Sequence, residues 1–138
     1  GSVIYSGSYA NNIIKGKDVS ITTTAIKNYL GAVVEASYDS QVLIEADEGK
    51  GKVSIIGTNM AYGINALDNA KATIKGSDIT IEGGHGINGY GGRTTVDAGD
   101  TGTVNIKGVT AGLSTPYHKG YTYVKGGMSP LRVPLPFK

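Results

Sequence analysis

Residues 14–21 of this chain read Ile-Lys-Gly-Lys-Asp-Val-Ser-Ile, and residues 74–81 repeat them as Ile-Lys-Gly-Ser-Asp-Ile-Thr-Ile. The two octapeptides differ at only three positions and begin 60 residues apart. Self-similarity at a fixed spacing is the signature of repeat architectures, in which each copy packs mainly on its neighbours. The interval of 60 residues therefore predicts two repeats of about 30 residues each.

Three kinds of short strand recur around this pair in a fixed order. The first kind alternates apolar, polar and apolar residues, at 19–21, 53–55, 79–81 and 104–106. The second kind opens with a glycine, at Gly31, Gly63, Gly86 and Gly112. The third kind places an apolar anchor before a charged residue, with anchors at Ile14, Ile44, Ile74, Val96 and Val124. Alternation with a period of two predicts strands that bury one face.

The spacing of the strands predicts the fold. Third-kind anchors are 30, 30, 22 and 28 residues apart, which is too irregular for a helical-hairpin repeat. Loops of variable length fit this spacing because they project outward while the strands stay in register. We predict an all-β fold, a right-handed parallel β-helix (three-sheet solenoid) of about four to five coils. Its expected core comprises Val19, Ile21, Ile44, Ile55, Ile74, Ile81, Val96 and Ile106.

Three segments are expected along the chain. Residues 1–10 are predicted to hold a cloning remnant, Gly1-Ser2, and an incomplete coil. Residues 11–126 are predicted to form the parallel β-helix, as a fragment of a longer solenoid. Residues 127–138 are expected to be a proline-rich C-terminal tail or cap, because proline cannot donate a hydrogen bond within a central strand.

A column of alternating charge is predicted on the outside of the third-kind strands. The residue after each anchor should point outward, and these residues are Lys15, Glu45, Lys75, Asp97 and Lys125. Parallel strands lie about 4.8 Å apart, so each lysine would lie between acids of the adjacent coils. An exposed pair of this kind contributes about 0.2–1 kcal/mol. The column therefore favours in-register stacking.

Composition argues against several classes of protein. The chain has no cysteine, which excludes disulfides and thiolate metal sites. Its net charge of +2 comes from dispersed residues without the basic cluster of a nucleic-acid footprint, so we expect no nucleic-acid partner. No apolar run approaches the roughly 18 residues of a spanning helix, so we expect no membrane insertion by this segment.

The repeated octapeptide and the Gly-Ile-Asn motif at 63–65 and 86–88 resemble the passenger domains of bacterial autotransporter adhesins, which have a pectin-lyase-like β-helix. The similarity covers residues of about 11 to 126. It implies a bacterial cell-surface or extracellular location, and binding to a host surface protein or glycan, or self-association. No binding residues carry over, because passengers share a scaffold rather than a site motif.

A polysaccharide-active β-helix hydrolase or lyase is an alternative function. The segment Gly84-His85-Gly86 resembles a motif of polygalacturonase-like hydrolases, which also need two carboxyl groups flanking one bond. The Asn-Thr-Asp, Asp-Asp and Arg-Ile-Lys elements of those enzymes are missing from the sequence. Gly86 is also accounted for as a glycine of the repeat. We therefore expect no catalytic role for His85.

Other charged residues also lack the spacing of a reactive or metal site. Arg93 and Asp97 share a strand face but lie about 13 Å apart by strand rise, so they form no preformed lyase site. The turns around Asp47, Glu48 and Asp100 lack the ligand spacing of a calcium loop. We expect solvated turns there, without a catalytic residue, metal or cofactor.

Aromatic side chains are the strongest candidates for a binding surface. Tyr29, Tyr62 and His85 each fall one or two residues before a second-kind glycine, so they should stack along one edge. Tyr38, Tyr90 and Tyr117 follow those glycines, in or near the next turn. Tyrosine has an apolar ring and a polar tip, which suits contact with glycans or proteins.

Tyr29, Tyr62, His85, Tyr90 and Tyr117 are the predicted binding residues of an adhesin. The competing interpretation is that stacked aromatic rings only stabilise the coils. A structural spike or fibre module is a third hypothesis for the function.

Overall fold

The structure is a computed structural model that describes residues 2–108, 113–114 and 120–128. Strands make up 71% of these residues, and the helical content among them is one short 3₁₀ turn at Asp47–Gly49. The predicted all-β class is therefore confirmed. In chain order the strands are β1 (Ile4–Ser6), β2 (Asn11–Gly16), β3 (Val19–Ala36), β4 (Gln41–Ala46), β5 (Lys52–Leu67), β6 (Lys71–Lys75), β7 (Asp78–Glu82), β8 (His85–Tyr90), β9 (Arg93–Asp97), β10 (Thr103–Lys107), β11 (Leu113–Ser114), β12 (Tyr121–Lys125) and β13 (Gly127–Met128).

The strands form two parallel sheets. The first has the order β1-β3-β5-β7-β10-β13, with β8 pairing both β5 and β11. The second has the order β12-β9-β6-β4-β2. Strands therefore pair with their counterparts in the next copy of the repeat rather than with their neighbours in sequence. Among the described residues all pairings between these strands are parallel.

The second sheet aligns the third-kind strands without any slip. Its register places one apolar anchor beside the next through five strands, in the order Ile14, Ile44, Ile74, Val96 and Val124. The three central anchors are fully buried, because each is covered by its counterparts on both sides. The alignment predicted from the sequence is thus confirmed along the whole sheet.

The first sheet contains both of the other strand kinds. Strands β3 and β5 each contain a first-kind and a second-kind segment. In the next copy the two segments are separate strands, β7 and β8. The first-kind segments stack Val19 on Val53 and Ile21 on Ile55, and the pattern continues through β7 and β10. All eight residues predicted to form the core are buried.

Strand β3 carries extra residues relative to β5. Val19 pairs with Val53, an offset of 34 residues, whereas Val34 pairs with Ile64, an offset of 30. Four additional residues therefore lie between the two halves of β3, where the register shifts twice. We call residues 25–31 the β3 bulge, since an insertion on one strand of a pair bends that strand locally.

Because of the β3 bulge, one alignment predicted from the sequence is wrong. The sequence pattern placed Gly31 at the same position as Gly63, but Tyr62 pairs with Ala32. The first second-kind segment is therefore displaced by two residues from its predicted place. The later copies follow the prediction, because Ile64 pairs with Ile87.

Turns between the second-kind and third-kind strands also stack. Three successive turns each contain two residues with positive φ, a conformation that costs non-glycine residues free energy. Backbone amides of one turn donate to carbonyl oxygens of the next, as from Tyr9 N to Tyr38 O at 2.9 Å and from Asp39 N to Asp68 O at 3.0 Å. These hydrogen bonds hold the strained pairs, which are Ser8 with Tyr9, Tyr38 with Asp39, and Asp68 with Asn69.

The predicted column of alternating charge has the predicted register. Lys15, Glu45, Lys75, Asp97 and Lys125 occupy equivalent positions on the five strands of the second sheet. The Lys15 Nζ lies 3.6 Å from Glu45 Oε1, in an ion pair whose lysine side chain is 62% exposed. Solvent screening makes such a pair a guide to register rather than a major source of stability.

Lys125 at the end of the column forms a different ion pair from the expected one. Its Nζ lies 3.3 Å from Asp100 Oδ1, in the turn before β10. The hydrogen bond and charge of Asp100, followed by the charge of Asp97, raise the pKa of Lys125 above its ordinary value. Lys125 therefore keeps its charge to a higher pH than an isolated lysine does, and its side of the pair is lost as pH rises through the raised lysine pKa.

Parallel pairing extends to short strands near both ends of the described residues. Strand β1 pairs with the second half of β3, in keeping with an incomplete first copy. At the other end Gly127–Met128 pairs in parallel with Thr103 and Val104, so regular pairing continues past the boundary expected at residue 126. The proline-rich residues 129–138 lie outside the described part of the chain.

Replacing a central anchor tests the stacked core. We expect Ile74→Ala to lower the free energy of unfolding by about 2–5 kcal/mol, because Ile74 is fully buried between Ile44 and Val96. Urea denaturation measures the change. The control Thr73→Ala alters the outward neighbour and should cost less than about 1 kcal/mol. Equal losses in the two variants would contradict the assigned faces of β6.

Reversing one charge tests the register of the column. We expect Glu45→Lys to destabilise the protein by about 1 kcal/mol at low ionic strength, because the new cation lies beside Lys15 and Lys75. Glu45→Gln removes the attraction without adding repulsion and should cost less. Since exposed charges are screened by salt, the difference between the two variants should shrink in 1 M NaCl. A difference that salt leaves unchanged would argue against electrostatic neighbours.

Candidate binding surface

The first part of the candidate surface is a stacked pair of rings. Tyr62 on β5 and His85 at the start of β8 are register partners. Their ring centroids lie 5.9 Å apart with an interplanar angle of 29°, and both side chains are half-buried. Offset stacking at this distance is a favourable aromatic geometry. The prediction that Tyr62 and His85 stack on adjacent copies is confirmed.

Glycines beside this pair allow two backbones to approach closely. A Cβ atom on Gly83 would lie 2.5 Å from Gly63 N, and one on Gly63 would lie 2.7 Å from Gly86 O. Side chains at these positions would collide with backbone, which cannot move aside cheaply. Gly63 and Gly83 therefore have a packing role, and a Cβ atom on Gly84 would lie 3.0 Å from Ala61 O, which is also a tight contact.

Tyr29 does not join the stack, and that part of the prediction is wrong. The β3 bulge places Tyr29 opposite Met60 rather than next to Tyr62. Tyr29 remains 41% exposed, and its neighbour Leu30 is 90% exposed. The reason is the four-residue insertion in β3, which changes the alignment before Gly31.

The β3 bulge forms one wall of a hollow of about 320 Å³. Tyr29, Leu30 and Met60 supply its larger apolar side chains, and Ala61 and Gly84 line it immediately before Tyr62 and His85. The hollow is thus lined by the residues that directly precede Tyr62 and His85 in sequence, whereas neither ring lines it. Concave surfaces with apolar walls and a few polar groups are typical of binding sites.

Two asparagines supply amide groups at this hollow. Asn28 belongs to the β3 bulge, and Asn59 follows the first-kind half of β5. The Asn59 Nδ2 donates a hydrogen bond of 3.0 Å to the carbonyl oxygen of Ala25, which ties the bulge to β5. The walls thus combine apolar side chains with amide groups, and one of those amides holds the bulge in place.

The remaining predicted tyrosines lie elsewhere. Tyr90 ends β8 opposite Leu67, five residues from His85, and is 45% exposed. At about 3.3 Å per residue, the two ends of β8 are roughly 16 Å apart, so Tyr90 is separate from the stacked pair. Tyr38 is exposed in a stacked turn. Tyr117 lies outside the described residues.

A hydrogen-bonded asparagine pair lies along β5 and β8, between the Tyr62–His85 pair and Tyr90. Asn65 and Asn88 are register partners on β5 and β8. The Asn88 Nδ2 donates a 2.9 Å hydrogen bond to Asn65 Oδ1, and Asn65 is buried. Side-chain amides that bond along a stack reinforce the register of the strands. The repeated Gly-Ile-Asn motif is therefore explained by this contact and by the glycine packing.

Charged residues considered as reactive or metal-binding take structural positions. The Asp97 carboxylate accepts a 2.9 Å hydrogen bond from Gly99 N, and Asp100 pairs with Lys125. Within residues 2–108 and 120–128, no group of three or more histidine or acidic side chains could hold a metal ion. Over the same residues, no helix is long and apolar enough to cross a membrane.

Sequence reasoning missed two features of the outer surface. Asn59 and Met60 gave no signal, because the hollow depends on the β3 bulge. Lys71 and Arg93, by contrast, hold the first position of successive third-kind strands and are adjacent in the structure. Their proximity follows directly from the third-kind alignment.

Comparison with known proteins identified no relative of this chain. The chain matches no protein-family model, no curated protein and no solved structure. The function must therefore be inferred from the chain's own residues.

Proposed function

We propose that the chain is a right-handed parallel β-helix. Three columns of apolar residues support this fold, one for each kind of strand. The second-kind residues Val34, Ile64 and Ile87 are stacked and fully buried, like the central residues of the other two columns. Each strand pairs in parallel with its counterpart in the next copy. Crossover connections between parallel strands of one sheet are right-handed in nearly all proteins. We therefore assign a right-handed coil to the proposed β-helix.

The proposed function is adhesion at the bacterial cell surface, through binding of a host glycan or protein. The observation that carries it is the stacked pair of Tyr62 and His85 beside the hollow formed with the β3 bulge. Half-buried rings offer apolar area at little cost in side-chain entropy, and the Tyr62 hydroxyl can hydrogen-bond a partner. The resemblance of the repeat to autotransporter passengers supports export to the surface.

The chemistry of the hollow suits a sugar ring or a small side chain of a host protein. Tyr29 and Leu30 provide a wall that is exposed in this chain, and burial of such area on binding is favourable. Asn28 can supply an amide to a ligand hydroxyl or carbonyl group. Apolar faces with polar edges are shared by sugars and by aromatic side chains.

A binding assay with surface variants tests this proposal. We expect the chain to bind host epithelial cells or an array of mammalian glycans, and expect Tyr62→Ala and His85→Ala each to weaken binding about tenfold, as a loss of roughly 1.4 kcal/mol would. Leu30→Ser should weaken it too, because Leu30 lines the adjoining hollow.

Tyr9→Asn is the matched control. Tyr9 is 79% exposed with positive φ in a turn away from the stacked pair, and asparagine accepts that backbone conformation. Binding that survives Tyr62→Ala and His85→Ala but fails with Tyr9→Asn would overturn the assignment of the surface. Concentration-dependent mass in light scattering, lost with the same variants, would instead indicate self-association.

A further inference from the structure

The outer face of the second sheet carries two adjacent cations. The first outward position of its strands is occupied by Gln41, Lys71, Arg93 and Tyr121 in turn. Lys71 is exposed and Arg93 half-buried, whereas the next residues along these strands point inward and are buried. Lys71 and Arg93 therefore lie side by side on the same face, one strand apart.

No acid among the described residues lies within 4.0 Å of the charged nitrogens of Lys71 or Arg93. The ion pairs within 4.0 Å there join Lys15 with Glu45, Lys107 with Glu82, and Lys125 with Asp100. Like charges directly opposite on neighbouring strands are unfavourable. Four residues further along the same strands, charge alternates from strand to strand. The pair at Lys71 and Arg93 is the exception to the pattern of this face.

The guanidinium of Arg93 is held in position by Tyr121. Its central carbon lies 5.9 Å from the centroid of the tyrosine ring, and one terminal nitrogen donates to the Tyr121 hydroxyl at 3.5 Å. Stacking and a hydrogen bond reduce the number of conformations of a flexible side chain. The other guanidinium N–H groups of Arg93 make no hydrogen bond with the described residues, and their fixed fork matches a carboxylate or sulfate.

A hollow of about 200 Å³ opens between the two cations. Lys71, Thr73, Arg93, Thr95 and Tyr121 are among the residues that line it. Thr73 and Thr95 are register partners and add hydroxyl groups beside the charges. Ammonium, guanidinium and hydroxyl groups therefore converge on one small volume, and all of them can donate hydrogen bonds to an anion.

We propose that this hollow binds the anionic group of an acidic polysaccharide, a uronate carboxylate or a sugar sulfate. A sugar chain is favoured over a free ion because Tyr123, 49% exposed, lies next to Thr95 on the same face. Its ring offers an apolar platform to the sugar adjoining the bound anion. The site uses a different sheet and different residues from the Tyr62–His85 surface, so it stands whether or not that surface binds a ligand.

Calorimetric titration at low ionic strength tests the site. The probes are a heparin-derived oligosaccharide for sulfate, an oligogalacturonate for carboxylate, and dextran as the neutral sugar. We expect the chain to bind at least one acidic probe and not dextran, and the stronger acidic probe identifies the preferred group. Lys71→Gln combined with Arg93→Gln should weaken that binding at least about tenfold, which is the effect of losing roughly 1.4 kcal/mol.

Lys15→Gln combined with Lys75→Gln is the matched control, because it removes the same total charge from the alternating column. We expect it to change affinity less than about twofold, since those cations lie beside acids. Folding is checked separately. In the absence of sugar the Lys71→Gln and Arg93→Gln variant should melt no lower than the parent at low salt, because repulsion is removed.

Three results would overturn the proposal. The first is that both double variants weaken sugar binding equally, which would indicate diffuse charge. The second is that neither acidic probe binds more tightly than dextran. The third is that single-stranded DNA binds more tightly than either sugar probe, through the same two residues. Tyr121→Phe refines the positive result, because it removes the hydroxyl that positions Arg93 while keeping the ring. We expect it to weaken binding less than the double variant does.

Discussion

In-register parallel stacking is the constraint on which the rest of this structure depends. An inward side chain is covered on both sides by its counterparts in the neighbouring copies, as Ile74 is by Ile44 and Val96. A change of size at one position therefore affects two neighbours, and close packing tolerates neither voids nor crowding. The similarity between copies of the repeat follows from this requirement, without any reference to a ligand.

The same constraint extends to polar groups. Turn amides donate to the carbonyl oxygens of the next turn, and Asn88 donates to Asn65 across two strands. Conformations that would be costly in isolation, such as the positive φ of Tyr38 and Asp39, are held by their neighbours in the stack. Stability here comes from contacts between copies, as expected of a repeat protein.

Both proposed binding sites lie where stacking imposes the fewest restrictions on the side chains. Outward residues and turns can vary as long as the strands stay in register, so the β3 bulge adds four residues without disturbing the core on either side. The bulge creates the hollow beside Tyr62 and His85. The adjacent cations Lys71 and Arg93 likewise use outward positions, where the strand spacing sets their separation. Both proposed sites are thus additions to a common scaffold.

Much of this arrangement could be predicted from the sequence because stacking makes equivalent positions similar. The alternation in Val19–Ser20–Ile21 identified buried residues, and the spacing of Ile44 and Ile74 identified register partners. The stacking of Tyr62 with His85 followed from the shared glycine that comes after each of them. These positions recur in each copy of the repeat, so the pattern is visible in this one sequence.

The rest depended on features without a repeating signal. The placement of Tyr29 was wrong because an insertion in β3 shifts the strand without a change in local pattern. The partner of Lys125 is Asp100, which reaches it from a turn whose conformation the strand alignment does not specify. The hollows are missed for the same reason, since concavity arises from side chains of several copies together.

The pairing of strands with the next copy, rather than with their sequence neighbours, is tested most directly by NMR. Parallel stacking predicts nuclear Overhauser contacts between backbone protons of Ile74 and those of both Ile44 and Val96, in the pattern of parallel strands. Contacts in an antiparallel pattern between β6 and β7, as in a hairpin of residues 71–82, would contradict it.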